Sequence, residues 1–266
     1  NIKNEWWKTF VQQRDDMVGI DGSIVAHPTV WKASGHVDGF TDVLVDCKKC
    51  GMRYRGDQLI EDKLKIPTAG MSLDNVAKIL SEHRIKCPKC SSELGEPKKF
   101  NLMFTTNVGA IQSSSSLAYL RPETAQLIFA NFKLVQENSR MNLPFGIAQV
   151  GKAFRNEISP RDFLFRMREF EQMEIEYFVH PEKQECPFID EVIDYEMNIY
   201  SAEMQKNNKK MEKMSMKHTL DKKIIKTAWH AYWLAKMHQW FVSLGANPEH
   251  FRIRQHVKDE LSHYAF

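Results

Sequence analysis

The chain has 266 residues, of which 42% are hydrophobic and 27% are charged, with a formal net charge of +3. This composition excludes a disordered chain and suits one sizeable core with a smaller appended lobe. The charge argues against a strongly basic phosphate-backbone binder but permits a nucleic-acid partner. No apolar run reaches the roughly 18 residues of a membrane-spanning helix, so we expect no membrane partner.

The first predicted elements are a helix and an extended run. Apolar residues recur at helical spacing over residues 1–16, which predicts an amphipathic helix. GIDGSIVAHPTVW, residues 19–31, is strand-like and carries turn residues. The chain starts as NIKNEWWKTF, without an initiator Met or a signal peptide, and it ends abruptly as DELSHYAF. We therefore expect a fragment of a longer protein.

A cysteine-rich lobe interrupts the chain over residues 47–97. Four of the five cysteines form two CxxC pairs, Cys47 with Cys50 and Cys87 with Cys90. Two such pairs without a signal peptide predict a closed tetrahedral zinc site with a structural role, in a reducing, cytoplasmic compartment. Between them, SLDNVAKILSEH predicts a short helix capped by Ser72. Cys186 has no partner in this pattern, and we expect it to be buried.

The rest of the chain mixes strands and helices. FNLMF (100–104) predicts a strand, the serines at 113–116 a loop, and residues 122–138 a helix with Pro122 near its first turn. Strands are predicted over 146–157 and 166–179, a helix over 187–204, a lysine-rich solvated stretch over 205–217, and a long helix over 220–244 that Gly245 ends. Without regular alternation of strands and helices, this order predicts an α+β fold with an antiparallel sheet.

The segment FRNEISPRDFLFRMREFEQMEIEYF, residues 154–178, predicts a hairpin with an unusual face. Since side chains alternate along a strand, Arg155 and Glu157 share a face of the first strand. On the second strand, one face carries Arg166, Arg168, Phe170, Gln172, Glu174 and Glu176. Arginines suit phosphate, an aromatic ring suits a nucleobase, Glu157 suits an exocyclic amine, and Glu174 or Glu176 suits an ammonium group. The alternative is a solvated hairpin with cross-strand ion pairs.

These residues resemble the motif 2 of class II aminoacyl-tRNA synthetases. LRPETAQLIF (120–129) before that motif resembles the homodimeric glycyl-tRNA synthetases, as do WKASGHVDGFTD (31–42), RYRGDQL, REFEQMEIEYF and RIRQHVKDELSHYA. The resemblance implies a catalytic core over 1–46 and 98–266, on an antiparallel sheet flanked by helices, and a zinc-binding insertion over 47–97. Motif 1 would cover about 1–30 and form part of a homodimer interface, and motif 2 would cover about 150–178.

The resemblance also implies roles for individual residues. It places Arg155 on the α-phosphate of ATP and Glu157 near the adenine amine, as the catalytic pair. The remaining ATP-binding residues would be Asn156, Arg166, Met167 and Phe170, whose ring lies under adenine. The ammonium group of glycine would be held by Glu123 and Glu174, with Thr124, Gln126 and Arg55 as further candidates for the glycine pocket. His36 is a candidate for lining the site, beside the ordinary packing role of a lone histidine.

The implied activity is glycine–tRNA ligation, in which ATP and Mg²⁺ activate glycine before its transfer to tRNA(Gly). Leu127 stands where the family usually has glycine, and the chain ends before motif 3 and the anticodon-binding domain. The alternative from another class is a catalytically retired, synthetase-like protein that binds nucleic acid or serves as an accessory subunit. Specificity for serine, threonine or proline is disfavoured by LRPETAQ together with the SGH stretch.

Overall fold

The computed structural model describes residues 1–261 except 67, 69, 70, 112–115, 161 and 162, and excludes the side chain of residue 259. Most of the predicted serine loop therefore lies outside the described residues. The chain divides into two compact units, Asn1–Phe178 and Val179–Phe266. In the described ranges, no helix combines the length and the apolar character needed to cross a membrane.

The first unit contains short helices and mostly antiparallel strands. Its helices are α1 Ile2–Trp7, α2 Pro28–Ala33, α3 His36–Gly39, α4 Gly56–Leu64, α5 Leu73–Glu82 and α6 Ala125–Ser139. Its strands are β1 Met17–Gly19, β2 Val25–Ala26, β3 Thr41–Asp46, β4 Arg53–Arg55, β5 Lys98–Asn101, β6 Thr105–Asn107, β7 Leu117–Leu120, β8 Phe145–Phe154 and β9 Glu169–Phe178. The α+β class predicted from the sequence is confirmed.

The predicted hairpin forms the largest sheet of this unit, in the order β1-β8-β9. β8 pairs antiparallel with β9, whereas β1 pairs parallel with β8, so the sheet is mixed rather than wholly antiparallel. Ile128 of α6 packs with Phe145 and Ile147 of β8, and all three side chains are fully buried. Phe145 and Ile147 share their face of the hairpin with Glu174 and Glu176, so the burial that fixes this face on the core also holds the two carboxylates there.

The cysteine lobe is built on a second sheet of order β4-β3-β5, with both pairs antiparallel. Helices α4 and α5 bury Leu59, Ile60, Val76 and Leu80 against Val45 of β3. Ser72 caps α5 as predicted, because its hydroxyl accepts a hydrogen bond from the amide of Asn75 at 3.2 Å. β3 ends just before the predicted 47–97 segment and β5 begins just after it. The sheet of the lobe therefore includes residues on both sides of that segment. A third sheet has the order β2-β7-β6.

Several predicted boundaries in the first unit are wrong. The N-terminal helix is shorter than 1–16, because α1 continues only as a π-helical turn over Lys8–Gln12. Residues 28–31 are helical, since Pro28 takes the first helical position after the capping side chain of His27. Pro122 precedes α6, which begins at Ala125. FNLMF spans the end of β5 and the link to β6.

The second unit differs most from the sequence prediction. Its strands are β10 Glu196–Tyr200, β11 Glu212–Ser215 and β12 Ile253–Arg254, and its helices are α7 Ala202–Lys206, α8 Met216–Asp221 and α9 Ala228–Ser243. The helix predicted over 187–204 is wrong, because Met197 and Ile199 are buried with the period of a strand. The lysine-rich stretch contains an edge strand, β11, whose Met214 is buried.

The long helix predicted over 220–244 is two helices. α8 ends at Asp221, Lys223 takes a positive φ of 55°, and Thr227 caps α9 by accepting from the amide of His230. Gly245, at φ 95°, follows the end of α9 as predicted. Cys186 is 4% exposed, as expected.

Candidate active site

The hairpin register places the predicted side chains on one face. Ala153 lies opposite Phe170, Gly151 opposite Gln172, and Gln149 opposite Glu174, so these pairs share a face. Glu176 continues the same face, opposite Ile147. The predicted coincidence of the two faces is confirmed for the strand residues. Arg155, Glu157, Arg166 and Arg168 lie just beyond the strand ends, however, in the segment that connects β8 to β9.

Arg155 is held between two aromatic rings. Its guanidinium carbon lies 5.4 Å from the ring centroid of Phe40 and 5.2 Å from that of Phe170. Its Nε donates to the carbonyl of Pro122 at 3.1 Å, and its backbone amide donates to the carbonyl of Arg168 at 2.9 Å. These contacts fix a cation beside an aromatic ring, which is what a phosphate next to a nucleobase requires.

Glu157 and Arg166 form a loose pair close to this arginine. Glu157 is 8% exposed, and its Oε2 lies 3.7 Å from Nη1 of Arg166. Among the residues that the structure describes, neither atom has a hydrogen-bond partner, nor does Oε1 of Gln172. Buried polar atoms are normally satisfied, so this group has hydrogen-bonding capacity available for a bound molecule.

Other residues of the connecting segment hold its backbone. Arg168 donates to the carbonyl of Glu157 through Nε at 3.2 Å and Nη2 at 3.0 Å. Its charge is therefore used within the segment rather than presented to a ligand. The amide of Asn156 donates to the carbonyl of Leu102 at 2.7 Å. The side chain of Met167 lies at the surface, where the residue is 39% exposed.

The other end of the face is a cluster of carboxylates. Glu174 accepts from the backbone amide of Thr124 at 3.1 Å and also from its hydroxyl. Glu123 accepts from Nε2 of Gln126 at 2.8 Å and lies 3.4 Å from Nε2 of His36. The structure thus brings together four of the five predicted glycine-pocket residues and adds His36.

Two carboxyl groups of this cluster, Glu123 and Glu176, have pKa values that are shifted in opposite directions. The hydrogen bond from His36, together with those from Gln126 and the charge of Arg155, lowers the pKa of Glu123. Burial, reinforced by the charges of Glu174 and Glu123, raises the pKa of Glu176 to about 7. Because neighbouring negative charges oppose the ionisation of Glu176, this cluster favours a bound cation.

Arg55, the fifth predicted pocket residue, lies in a different group. Its Nη1 is 2.9 Å from Oδ2 of Asp42, and its Nε and Nη2 donate to Asp57 at 3.1 and 2.5 Å. Sequence reasoning gave no role to Asp42 or Asp57, nor to Phe40 against Arg155. The only signal for Asp42 and Phe40 was their place in the quoted stretch WKASGHVDGFTD.

Arg121 was also missed, although it lies within LRPETAQLIF. It is 1% exposed, and it donates to the carbonyls of Lys152 and Gly22, both at 2.7 Å. A Cβ at Gly151 would lie 2.3 Å from its Nη2, so a side chain at that position would displace the buried guanidinium group. Burial lowers the pKa of Arg121. The buried arginine joins β8 to the segment that leads into Glu123.

The four paired cysteines converge. Their sulfur atoms all lie within 4.8 Å of one another, with Cys47 to Cys90 at 3.5 Å and Cys50 to Cys87 at 3.7 Å. The two CxxC turns match: the amides of Gly51 and Ser91 donate to the carbonyls of Cys47 and Cys87, and both residues have positive φ. A tetrahedron of Zn–S bonds of about 2.3 Å has sulfur separations of about 3.8 Å, which these positions fit.

Residues 105–262 match the family described as tRNA synthetase class II core domain (G, H, P, S and T). Similar curated proteins named glycine–tRNA ligase come from Bacillus thuringiensis subsp. konkukian (42% identical over 271 residues), Caldanaerobacter subterraneus (43% over 271) and Mesoplasma florum (41% over 267). The first two alignments cover 100% of this chain and the third covers 99%. Each covers 50% of the relative, so the chain spans about half the length of the curated relatives that it matches.

One solved structure, the RNA binding domain of threonyl-tRNA synthetase from Cryptosporidium parvum, gives a TM-score of 0.35 at 18% identity. The likeness covers 71% of this chain and 29% of that chain.

Proposed function

The chain belongs to the class II tRNA synthetase core family, and on that premise we propose that it activates glycine with ATP for attachment to tRNA(Gly). One observation carries this proposal. A single hairpin presents a fixed arginine between aromatic rings at one end and a cluster of carboxylates at the other. Phosphate and base would bind at the first end, and an ammonium group at the second.

In the first step, the glycine carboxylate attacks the α-phosphorus of ATP. A carboxylate oxygen–phosphorus bond forms as the bond to pyrophosphate breaks, giving glycyl-adenylate. No general base is needed, because the nucleophile is already ionised at pH 7. Catalysis is then positioning and charge stabilisation. Arg155 would counter the charge at the α-phosphate, and Mg²⁺ would neutralise the phosphate oxygens when bound.

The remaining nucleotide contacts follow from the positions of the motif 2 residues. Phe170 would stack on adenine, and Oε2 of Glu157, which has no hydrogen-bond partner in the described part of the chain, would accept from its amine. Arg166, with Nη1 unsatisfied among the described residues, would contact phosphate, with Asn156 and Met167 alongside. In the second step, the terminal ribose hydroxyl of the tRNA attacks the activated carbonyl and forms an ester bond, the hydroxyl proton passes to the departing phosphate, and AMP leaves as the carbonyl–oxygen bond to it breaks.

Glycine recognition depends on charge because the substrate has no side chain. Glu123 and Glu174 would hold the ammonium group, and Thr124 and Gln126 orient those carboxylates. Discrimination must come from excluding larger side chains, since an apolar pocket separates one methylene by only about 1–3 kcal/mol.

We further propose that Cys47, Cys50, Cys87 and Cys90 hold a structural zinc ion. The convergence of the four sulfurs and the matched turns support this ion, and a full set of thiolates leaves no position for catalysis. A homodimer formed partly through residues 1–30, and a cytoplasmic location, complete the proposal. They rest on the resemblance and on a thiol set that suits a reducing compartment.

The test is amino-acid-dependent exchange between ATP and pyrophosphate. It is measured on the 266-residue chain and on the complete product of its gene, with each amino acid in turn. We expect exchange with glycine and none with alanine or serine. Absence of exchange with every amino acid in both forms would overturn the proposal and favour a retired, nucleic-acid-binding relative.

A further inference from the structure

Five charged side chains meet where the cysteine lobe adjoins the nucleotide end of the hairpin. Arg55 contacts Asp42 and Asp57, and Arg166 lies 3.7 Å from Glu157. Their side chains are 10–26% exposed, so water screens the charges only partly. Three carboxylates and two guanidinium groups give this charge network a net charge of −1 when all five are ionised.

The charges act on one another across the two regions. Although burial alone would raise the pKa of Asp57, hydrogen bonds from Arg55 and the charge of Arg166 lower it. Burial raises the pKa of Asp42 against the opposing charges of Arg55 and Arg166, and the charge of Glu157 raises it further. The backbone joins the two regions as well: the amide of Asn156 donates to the carbonyl of Leu102, whose own amide donates to the carbonyl of Phe40, two residues before Asp42. Arg55 forms hydrogen bonds with Asp57, whereas Oδ2 of Asp42 has no hydrogen-bond partner among the described residues.

The sheet of the lobe ties this network to the cysteine cluster. β3 carries Asp42 and leads directly into Cys47, and its residues Leu44 and Val45 pair with Arg55 and Tyr54 of β4. Since adjacent residues of a strand face opposite ways, Tyr54 and Arg55 point to different sides. The hydroxyl of Tyr54 lies 3.4 Å from the sulfur of Cys87, while Arg55 reaches the network.

The start of α4 also connects the charge network to the core of the lobe. Asp57 lies in its first turn, and a Cβ at Gly56 would meet a side-chain carbon of Val76 at 2.8 Å. The backbone that positions Asp57 is therefore packed against the core of the lobe. A shift of that core would move Asp57 and Arg55 together.

We propose that Arg55, Asp42 and Asp57 are positioning residues for Arg166 and Glu157, so that the folded cysteine lobe controls nucleotide binding. With Arg55 in place, its neighbouring aspartates are neutralised and Arg166 stays beside Glu157. Without it, Asp42 and Asp57 attract Arg166 away from the nucleotide. This inference rests on the proposed function for the identity of the nucleotide, but the coupling itself is a property of the fold.

The first measurement is hydrogen exchange of the amides of Arg155 and Asn156, which bond to the carbonyls of Arg168 and Leu102. We expect Arg55→Gln to speed their exchange about tenfold while the bound metal stays at its wild-type content. Arg55→Lys, which keeps the charge but loses the forked geometry, should give a smaller increase. Lys78→Gln is the control, because Lys78 pairs only loosely with Glu82 at 3.9 Å on the exposed surface of the same lobe.

The second measurement is steady-state ATP–pyrophosphate exchange. Arg55→Gln should raise the KM for ATP about tenfold and change the KM for glycine less than twofold. Adding Asp57→Asn removes one of the two unsatisfied carboxylates and should recover part of the ATP KM, which a purely structural role would not predict.

Three results would overturn the inference. They are unchanged amide exchange and ATP KM in a folded Arg55→Gln variant, an equal rise of both KM values, and no recovery in the double variant. If the wild-type protein shows no glycine-dependent ATP–pyrophosphate exchange, the proposed function fails. Amide hydrogen exchange alone then tests whether Arg55 positions the segment that carries Arg166 and Glu157.

Discussion

The hairpin and the cysteine lobe hold their charged side chains in place by different means. β8 and β9 pair over ten residues each, and Phe145, Ile147, Ala148 and Ala153 are fully buried. The lobe has three short strands, a core of five buried residues and four converging thiols. The ladder fixes Phe170 and Glu174 through its own register, whereas we propose that the small lobe depends on a bound metal ion to position its side chains.

Loss of one thiol should have the largest effect, on the lobe itself and, through Arg55 and Asp57, on the nucleotide end of the hairpin. We expect Cys87→Ser to remove the metal and destabilise the lobe by at least about 3 kcal/mol. Proteolysis within residues 47–97 should accelerate, while the amides of β8 and β9 stay protected. Metal analysis and limited proteolysis provide the measurement. Cys186→Ala is the matched control, and equal loss of metal there would contradict the assignment.

Removal of the ring beside Arg155 should affect only the nucleotide end of the hairpin. In Phe170→Ala the guanidinium group loses one of its two rings, and adenine loses its proposed stacking partner. We expect the KM for ATP to rise about tenfold, or about 1.4 kcal/mol, with little change in the KM for glycine. Phe129→Ala, a largely exposed ring on α6, serves as the control. A rise in the glycine KM alone would reverse the assignment of the two ends.

A smaller, pH-dependent effect is expected at the carboxylate end. Because the folded state raises the pKa of Glu176 to about 7, its ionisation opposes folding. This cost is absent below the ordinary pKa of about 4.5, grows as the pH rises, and is complete above pH 7. Glu176→Gln should therefore raise Tm by a few degrees at pH 8, for about 1 kcal/mol, and barely change it at pH 5. Glu171→Gln, on the opposite face, should show no such difference, and a larger gain for Glu176→Gln at pH 5 would contradict the account.

The hairpin was predictable because two strand-like runs flank a short segment with turn residues. The cysteine site was predictable because CxxC spacing is local. The prediction of one continuous helix over 220–244 is wrong, since the break before Thr227 depends on a capping hydrogen bond that apolar spacing does not reveal. The strand β10 was not predicted, because its alternation is short and the surrounding segment is rich in helix-forming residues.

Within the site, residue types were predictable but several partners were not. Glu123, Glu174 and Arg155 follow from motifs, and the structure brings Glu123 and Glu174 together through Thr124 and Gln126. Phe40 against Arg155 joins segments that are distant in sequence, and Asp42 meets Arg55 through the pairing of β3 with β4. Such pairs are set by tertiary packing, which one sequence does not encode in any local pattern.

The central claim is that one hairpin binds the amino acid and the nucleotide at separate ends. It is tested most directly by the two KM values of Glu174→Ala in glycine-dependent ATP–pyrophosphate exchange. We expect the glycine KM to rise about 100-fold, for about 2–3 kcal/mol, because the ammonium group loses a charged partner. The ATP KM should stay within about twofold, and Glu169→Ala, on the exposed face of β9, should change neither value. An equal rise of both KM values, or no change in either, would contradict the claim.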